Sequence, residues 1–310
     1  MRIALVGTGS WGKNHARILS KLGVLCAVCD SDNIRCAEFA KKYSVNQYNT
    51  INKLIESEEF DGVVIATPTT THYSIASDFI KAKKHVFVEK PITTESNKGQ
   101  ILADMAAKNN TILMCGYVER FNPAVTLVKS LLDEKKYGDL LMLEFHRENR
   151  RPAGTKNVGI IHDTSVHDID TANWLFGQMP LLVFARAGIL DDIHEEYASI
   201  MLGYEGNKTA IISSNWVTPK KLRTFSAVCT DAIISSDYIT QEVKIKSTDT
   251  TETLKNHIQE PLFLEMKYFM ECIMGNHIST QSQQAVNVTK IAEAALLSSQ
   301  KGVPIYLELK

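Results

Sequence analysis

Two short stretches gather residues able to do chemistry. The first is Glu89-Lys90-Pro91, straight after the apolar run His85-Val86-Phe87-Val88. An ammonium beside a substrate hydroxyl stabilises alkoxide character as electrons leave the carbon that carries it. Glu89 can hold Lys90 in place or meet a ribose hydroxyl, and Pro91 fixes the local backbone and can favour a cis bond. A surface ion pair ahead of the next helix is the competing reading. The second stretch runs from His162 to Asp170. On a helix Asp163 and His167 stand at i and i+4 on one face, with Asp170 three further on, near it. A histidine oriented by a carboxylate is a natural proton acceptor near neutral pH. The same residues also suit a helix start with an acidic first turn and a packed histidine. They include metal-ligand types as well, but nothing like H-E-x-x-H is present and no metal is expected.

A third stretch, Gly7-Thr8-Gly9-Ser10-Trp11-Gly12, is a G-x-G-x-x-G that follows one apolar run and opens an amphipathic one. Gly7 allows the tight turn, Gly9 lets a pyrophosphate approach the backbone, and Gly12 lets helix and strand pack closely. The helix N-terminus supplies free N–H groups to the phosphates. Asp30 closes the second apolar run, where a carboxylate accepts from both ribose hydroxyls and repels a 2′-phosphate. Ser31 and Asp32 follow, with no arginine directly after, so NAD is expected over NADP. A Gly-rich turn with a capping aspartate is the alternative. Thr67-Pro68 and His72 follow another apolar run, Gly62–Ala66. The expected cofactor-binding set is Gly7, Thr8, Gly9, Ser10, Trp11, Gly12, Asp30, Ser31, Thr67, Pro68, His72, Glu89 and Lys90.

Placing these residues together takes strands that alternate with helices. Strand-like runs are Arg2–Val6, Val24–Cys29, Gly62–Ala66, His85–Val88 and Thr111–Cys115, with helical patterns near 10–21, 33–43, 72–82 and 94–108. The runs are continuously apolar, as in a parallel sheet covered on both faces. Ligands bind beyond the carboxyl ends of such strands, which is where Thr67 and Glu89-Lys90 fall. After about residue 118 the rhythm changes. Helices are expected at 123–135 and 162–176, then strands at 181–189, 197–204, 208–217, 222–229 and 239–247, then helices near 261–274 and 283–300. The expectation is an α/β chain with an N-terminal Rossmann domain over 1–118. An α+β domain with a large, mostly antiparallel open sheet follows over 119–310.

The 310 residues include 44% hydrophobic and 22% charged, ordinary for a globular enzyme of about two domains. A net charge of −1 gives no general attraction for nucleic acid or anionic membrane. No apolar run is long enough to span a bilayer, and the N-terminus reads as a strand followed by a Gly-rich loop, so a cytoplasmic location is expected. Cys26 and Cys29 form a C-x-x-C on a strand, where i and i+3 face opposite sides. They and the other four cysteines read as buried structural thiols.

The motifs together resemble the glucose–fructose oxidoreductase/inositol dehydrogenase (Gfo/Idh/MocA) family: the glycine turn, Ala66-Thr67-Pro68 with His72, Glu89-Lys90-Pro91, and Asp163, His167 and Asp170 in their spacing. The resemblance spans the chain. It implies NAD-dependent oxidation of a sugar or polyol hydroxyl, with Lys90, His167 and Asp163 as catalytic residues and homo-dimers or tetramers built through the C-terminal sheet. A narrower resemblance is carried by Gly116–Pro123, Asp163–Asp170, Glu196-Tyr197-Ala198-Ser199 and Asn215-Trp216-Val217-Thr218-Pro219. These look like the branch containing UDP-N-acetylglucosamine 3-dehydrogenases, and imply a nucleotide sugar oxidised at its 3-hydroxyl; the alternatives are a dehydrogenase of a free polyol or monosaccharide such as an inositol, an NAD-dependent glycosidase, and a non-catalytic NAD-binding regulator. Arg120, Arg147, Arg150 and Lys156 are then candidate substrate-binding residues beside Asp163 and His167. Arg147, Arg150, Arg151 and Lys156 read as a cluster between the first strand of the second domain and the Asp163 helix. Such a cluster suits a diphosphate or is a solvated charged loop.

Overall fold

The computed structural model describes residues 1–151, 158–190, 193–277 and 281–308. Contacts divide the chain into two compact units, Met1–Gly116 with Leu262–Val286, and Tyr117–Pro261 with Asn287–Lys310.

In the first unit, strands β1 (Ile3–Val6), β2 (Leu25–Cys29), β3 (Asn46–Tyr48), β4 (Gly62–Ile65), β5 (His85–Glu89) and β6 (Leu113–Gly116) form one sheet in the order β3-β2-β1-β4-β5-β6. Every pairing is parallel. Helices α1 (Ser10–Lys21), α2 (Asn33–Tyr43), α3 (Ile51–Ser57), α4 (Thr69–Lys81) and α5 (Ser96–Lys108) make the crossovers. Strands β1 and β4 are buried at every residue, which is why their sequences show no alternation. Strand order reverses between β1 and β4, and there the carboxyl ends open a crevice. This is the Rossmann arrangement expected. The strand β3 and helix α3 were not in that expectation. Asn46-Gln47-Tyr48 is a half-exposed edge strand with no apolar run to reveal it.

In the second unit the strands are β7 (Leu140–Glu148), β8 (Leu182–Gly188), β9 (Tyr197–Gly203), β10 (Thr209–Asn215), β11 (Leu222–Cys229), β12 (Ala232–Asp237), β13 (Val243–Ser247), β14 (Thr251–Leu254) and β15 (Ile305–Tyr306). They form a nine-stranded sheet ordered β14-β13-β12-β11-β7-β10-β9-β8-β15. Only the β7–β10 pair is parallel, so the sheet is mostly antiparallel as expected. Burial alternates along the strands, leaving one face for the core and one open. Helices α6 (Pro123–Asp133) and α7 (Val166–Phe176) pack on the core face.

Of the strand expected over 239–247 only β13 forms, and β12 and β14 on either side were not in the expectation. Asp237 ends β12 and its carboxylate accepts from the amides of Ile239 and Thr240, turning the chain into β13. Two further helices are α8 (Pro261–Ile273) and α9 (Gln281–Lys301). Helix α8 belongs to the first unit, where Phe269 meets Phe87 edge-on at 5.6 Å. A division at 118 does not carry that return, because an amphipathic helix shows which face it buries and not what against.

Candidate active site

The glycine turn leaves β1 and enters α1. Gly7 sits at φ +94°, and a Cβ there would lie 2.5 Å from the carbonyl oxygen of Ala66. A Cβ on Gly12 would lie 2.0 Å from the carbonyl oxygen of Gly7. Both positions therefore require glycine, and Gly9 faces open space. Ser10 and Trp11 begin α1, with Trp11 exposed. A cavity of about 540 Å³ opens beside the turn, lined by Gly7, Gly9, Asp30, Ser31, Thr67 and Pro68 among others. The fit to a dinucleotide is direct: bare backbone for phosphates, a helix N-terminus behind it, and a carboxylate at the ribose position.

Asp30 is buried. Its Oδ2 accepts from the Thr8 amide and hydroxyl, both at 2.7 Å, and its Oδ1 from the Asp32 amide at 2.9 Å. Burial opposes its charge, but these donors and the Arg35 guanidinium outweigh it and hold the carboxyl below its usual range. Arg35 was not foreseen. It lies in the first turn of α2, and its Nη2 is 3.1 Å from both Asp30 oxygens. The Asp32 side chain caps α2 by accepting the Arg35 amide, a contact worth about 1 kcal/mol.

At the next strand ends, His72 is 1% exposed, and its two ring nitrogens stand 2.9 Å from the carbonyl oxygens of Pro91 and Thr67. It ties the loop after β4 to the loop after β5. Burial pushes its pKa down against those two contacts. Glu89 is buried at the end of β5, with Oε1 2.7 Å from His15 Nε2 and Oε2 accepting the Lys90 amide at 3.2 Å. The Lys90–Pro91 bond is cis. His15 is a partner that the sequence reading missed. Its signal was a histidine three residues past Gly12 on the buried face of an amphipathic helix.

In the second unit, the segment expected to begin as an α-helix begins with a π-helical turn, Ile161–Ser165, that runs into α7. Asp163 lies in the turn and His167 in the first turn of α7, both half-buried. The His167 ring stands perpendicular to that of Tyr117, centroids 6.5 Å apart. The turn is anchored to the sheet: Trp216 Nε1 donates to Thr164 Oγ1 at 3.2 Å, and Ser165 Oγ donates to Ser214 Oγ at 3.0 Å. Among the described residues no group of three or more His, Cys, Asp or Glu is placed to hold a metal ion.

The arginines fall elsewhere than the sequence placed them. Arg147 is inside β7, 2% exposed. Its Nε and Nη2 donate to the two Asp168 oxygens at 3.0 and 2.8 Å, and its Nη1 to Glu119 at 2.9 Å. Arg120 is buried with Nε and Nη2 on the Asp170 carboxylate at 2.6 and 2.5 Å. Asp170 thus serves Arg120, whereas the spacing had set it near the Asp163–His167 face. Arg150 is exposed just past β7, and Lys156 lies outside the described residues.

Residues 1–117 match the family described as "Oxidoreductase family, NAD-binding Rossmann fold", and residues 125–235 match "GFO/IDH/MocA C-terminal domain". Inositol 2-dehydrogenase of Rhizobium meliloti (strain 1021) is 30% identical over 229 residues, 69% of this chain and 68% of that one. UDP-N-acetylglucosamine 3-dehydrogenase of Acidithiobacillus ferrooxidans is 25% identical over 245 residues, 79% and 76% of the two chains. A solved structure under that name from that organism has a TM-score of 0.90 at 23% identity, covering 97% of this chain and 98% of that one, a likeness of fold.

Proposed function

We propose that this chain, which belongs to the GFO/IDH/MocA oxidoreductase family, oxidises the 3-hydroxyl carbon of a UDP-N-acetylhexosamine. Its class is that of an NAD-dependent dehydrogenase acting on CH–OH groups. The observation that carries the nucleotide-sugar reading is the anchoring of the Asp163 turn. Trp216, from Asn215-Trp216-Val217-Thr218-Pro219, hydrogen-bonds Thr164 next to Asp163. Likeness to a UDP-N-acetylglucosamine 3-dehydrogenase over 79% of the chain supports it.

Bound NAD supplies the hydride acceptor. The chain's residues supply the rest. The Asp30 carboxylate receives ribose hydroxyls, and the amides at the start of α1 receive phosphate. The Lys90 ammonium polarises the reacting oxygen. His167 takes the hydroxyl proton, and Asp163 orients its imidazole or binds the sugar. Glu89, gripped by His15, fixes the backbone of Lys90 through its amide. The open face of the nine-stranded sheet carries exposed Met201 and Ile211, cross-strand partners, and serves as a self-association surface.

The test is NADH formation with UDP-N-acetylglucosamine against the free polyol myo-inositol. A dehydrogenase of free polyols is the second reading, and the 30% identical inositol 2-dehydrogenase favours it. Reduction of NAD with inositol alone would establish that reading in place of ours. Lys90→Met should cost about 10²–10³-fold or more in kcat while NADH binding stays intact. Full turnover in that variant removes Lys90 from the mechanism.

A further inference from the structure

The first row of core-facing residues at one end of the large sheet holds more cations than its carboxylates can pair. Arg223 stands directly opposite Arg147 in the β7–β11 register. Arg147 has taken both Asp168 oxygens and the nearer approach to Glu119. Arg223 reaches the same Glu119 Oε1 only at 3.9 Å from Nη1, beyond hydrogen-bond range. Among the described residues its Nε is buried with no hydrogen-bond partner. A buried guanidinium N–H left unmatched costs free energy, so such a group calls for an explanation. Lys221 is two residues earlier, exposed and just before β11. The charge of Arg223 is the largest influence on Lys221 and holds its ammonium below the usual range. Two cations thus crowd each other, and Asp163 is close enough for its charge to act on Arg223.

We propose that Arg223 and Lys221 form an oxyanion-binding site for the charged group of the sugar substrate. Resting on the sugar-dehydrogenase reading, the inference moves anion recognition from Arg147, which is spent on carboxylates, to its register neighbour. Arg223 offers a planar fork that is one-third exposed, and Lys221 an exposed point charge. The oxyanion is either the diphosphate of a nucleotide sugar or the carboxylate of a uronate.

The experiment is calorimetric titration of the full chain, saturated with NADH so that the dinucleotide crevice is filled. The titrants are UDP and, separately, glucuronate. Wild-type protein binds one of them, UDP identifying the diphosphate and glucuronate the carboxylate as the natural source. In Arg223→Gln and in Lys221→Met that binding weakens at least tenfold, whereas Lys108→Gln, which removes an exposed charge on α5, leaves it unchanged. Lys221 precedes the strand, so its variant keeps the test open if Arg223→Gln fails to fold. Binding of neither titrant to wild type, or equal binding in either folded variant, overturns the proposal. Turnover is read separately. Loss of UDP binding in the variants with no turnover of any sugar by wild type sustains the anion site and ends the dehydrogenase reading. Turnover with an unchanged KM in Arg223→Gln does the opposite.

Discussion

At the scale of single residues, charge placement sets what the cofactor end can hold. Asp30 meets its partners in a buried position, and its carboxyl is held below the ordinary range. A depressed carboxylate contributes above its unfolded pKa of roughly 4 and fails only as pH falls through the still lower folded value. NADH affinity should therefore be flat from pH 5 to 8, checked by fluorescence titration, and a fall beginning near pH 6 that persists in Asp30→Asn would assign the titration to another group. Arg35 shares that carboxylate and is half-exposed beside the cavity. Replacing it with Gln should weaken NADPH binding about tenfold, the worth of one charge-assisted hydrogen bond, and leave NADH binding nearly unchanged. His72 has the same sign as Asp30 in a higher pH window, and for a different reason: its neutral form is the one favoured. Burial lowers its pKa, so the folded chain prefers it neutral while the unfolded chain protonates near 6.5. Stability rises with pH through that window, since the unfolded state there binds more protons. The slope of Tm between pH 5.5 and 7 should be shallower in His72→Gln than in the wild type. An equal slope assigns the effect to His85 and His162, whose pKa values burial also lowers.

At the scale of elements, β7 shows where sequence reading stops. The sequence reading gave this strand no bounds, although Leu143, Phe145 and Arg147 alternate onto one core face. An arginine at the end of such a run looks like the first residue of a charged loop, because the carboxylates that keep it inside come from Glu119 and Asp168, far away along the chain. The glycine turn, Asp30 and Glu89-Lys90-Pro91 were legible for the contrary reason. Thr8 and Asp30 meet across one βαβ crossover, so type and spacing specify that contact, whereas Glu89 was legible as a motif although its partner His15 is far off along the chain. The π-turn before α7 was hidden as well, since its anchors, Ser214 and Trp216, come from β10 and the loop beyond it. The buried arginine yields a direct test. Arg147→Met leaves Asp168 and Glu119 without their main cation and should destabilise the chain by about 3–5 kcal/mol, read by urea unfolding. A stable variant with a raised substrate KM would return Arg147 to the substrate-binding role its sequence position implied.

At the scale of the molecule, the large sheet has one face packed by helices and one face that alternation leaves open. Nine strands about 4.8 Å apart, most of them five to nine residues long, present a face of roughly 40 by 20 Å. That is about the 800 Å² per partner of a standard stable interface. One half of it is apolar. Phe184, Met201 and Ile211 are successive cross-strand partners on β8, β9 and β10, with Met201 38% and Ile211 41% exposed. Glu144 continues the row on β7, the central strand, and bounds that apolar half with a charge. Face-to-face packing of two such sheets is geometrically available at about 10 Å separation. A lysine at 211 would bury a charge in that contact with no partner, so Ile211→Lys should shift the protein from dimer or larger to monomer in sedimentation velocity at micromolar concentration. The side chain points away from the core, so the monomer should keep its fold and its NADH affinity. A wild-type chain that sediments as a monomer, or a variant that stays assembled, would take the open face out of self-association.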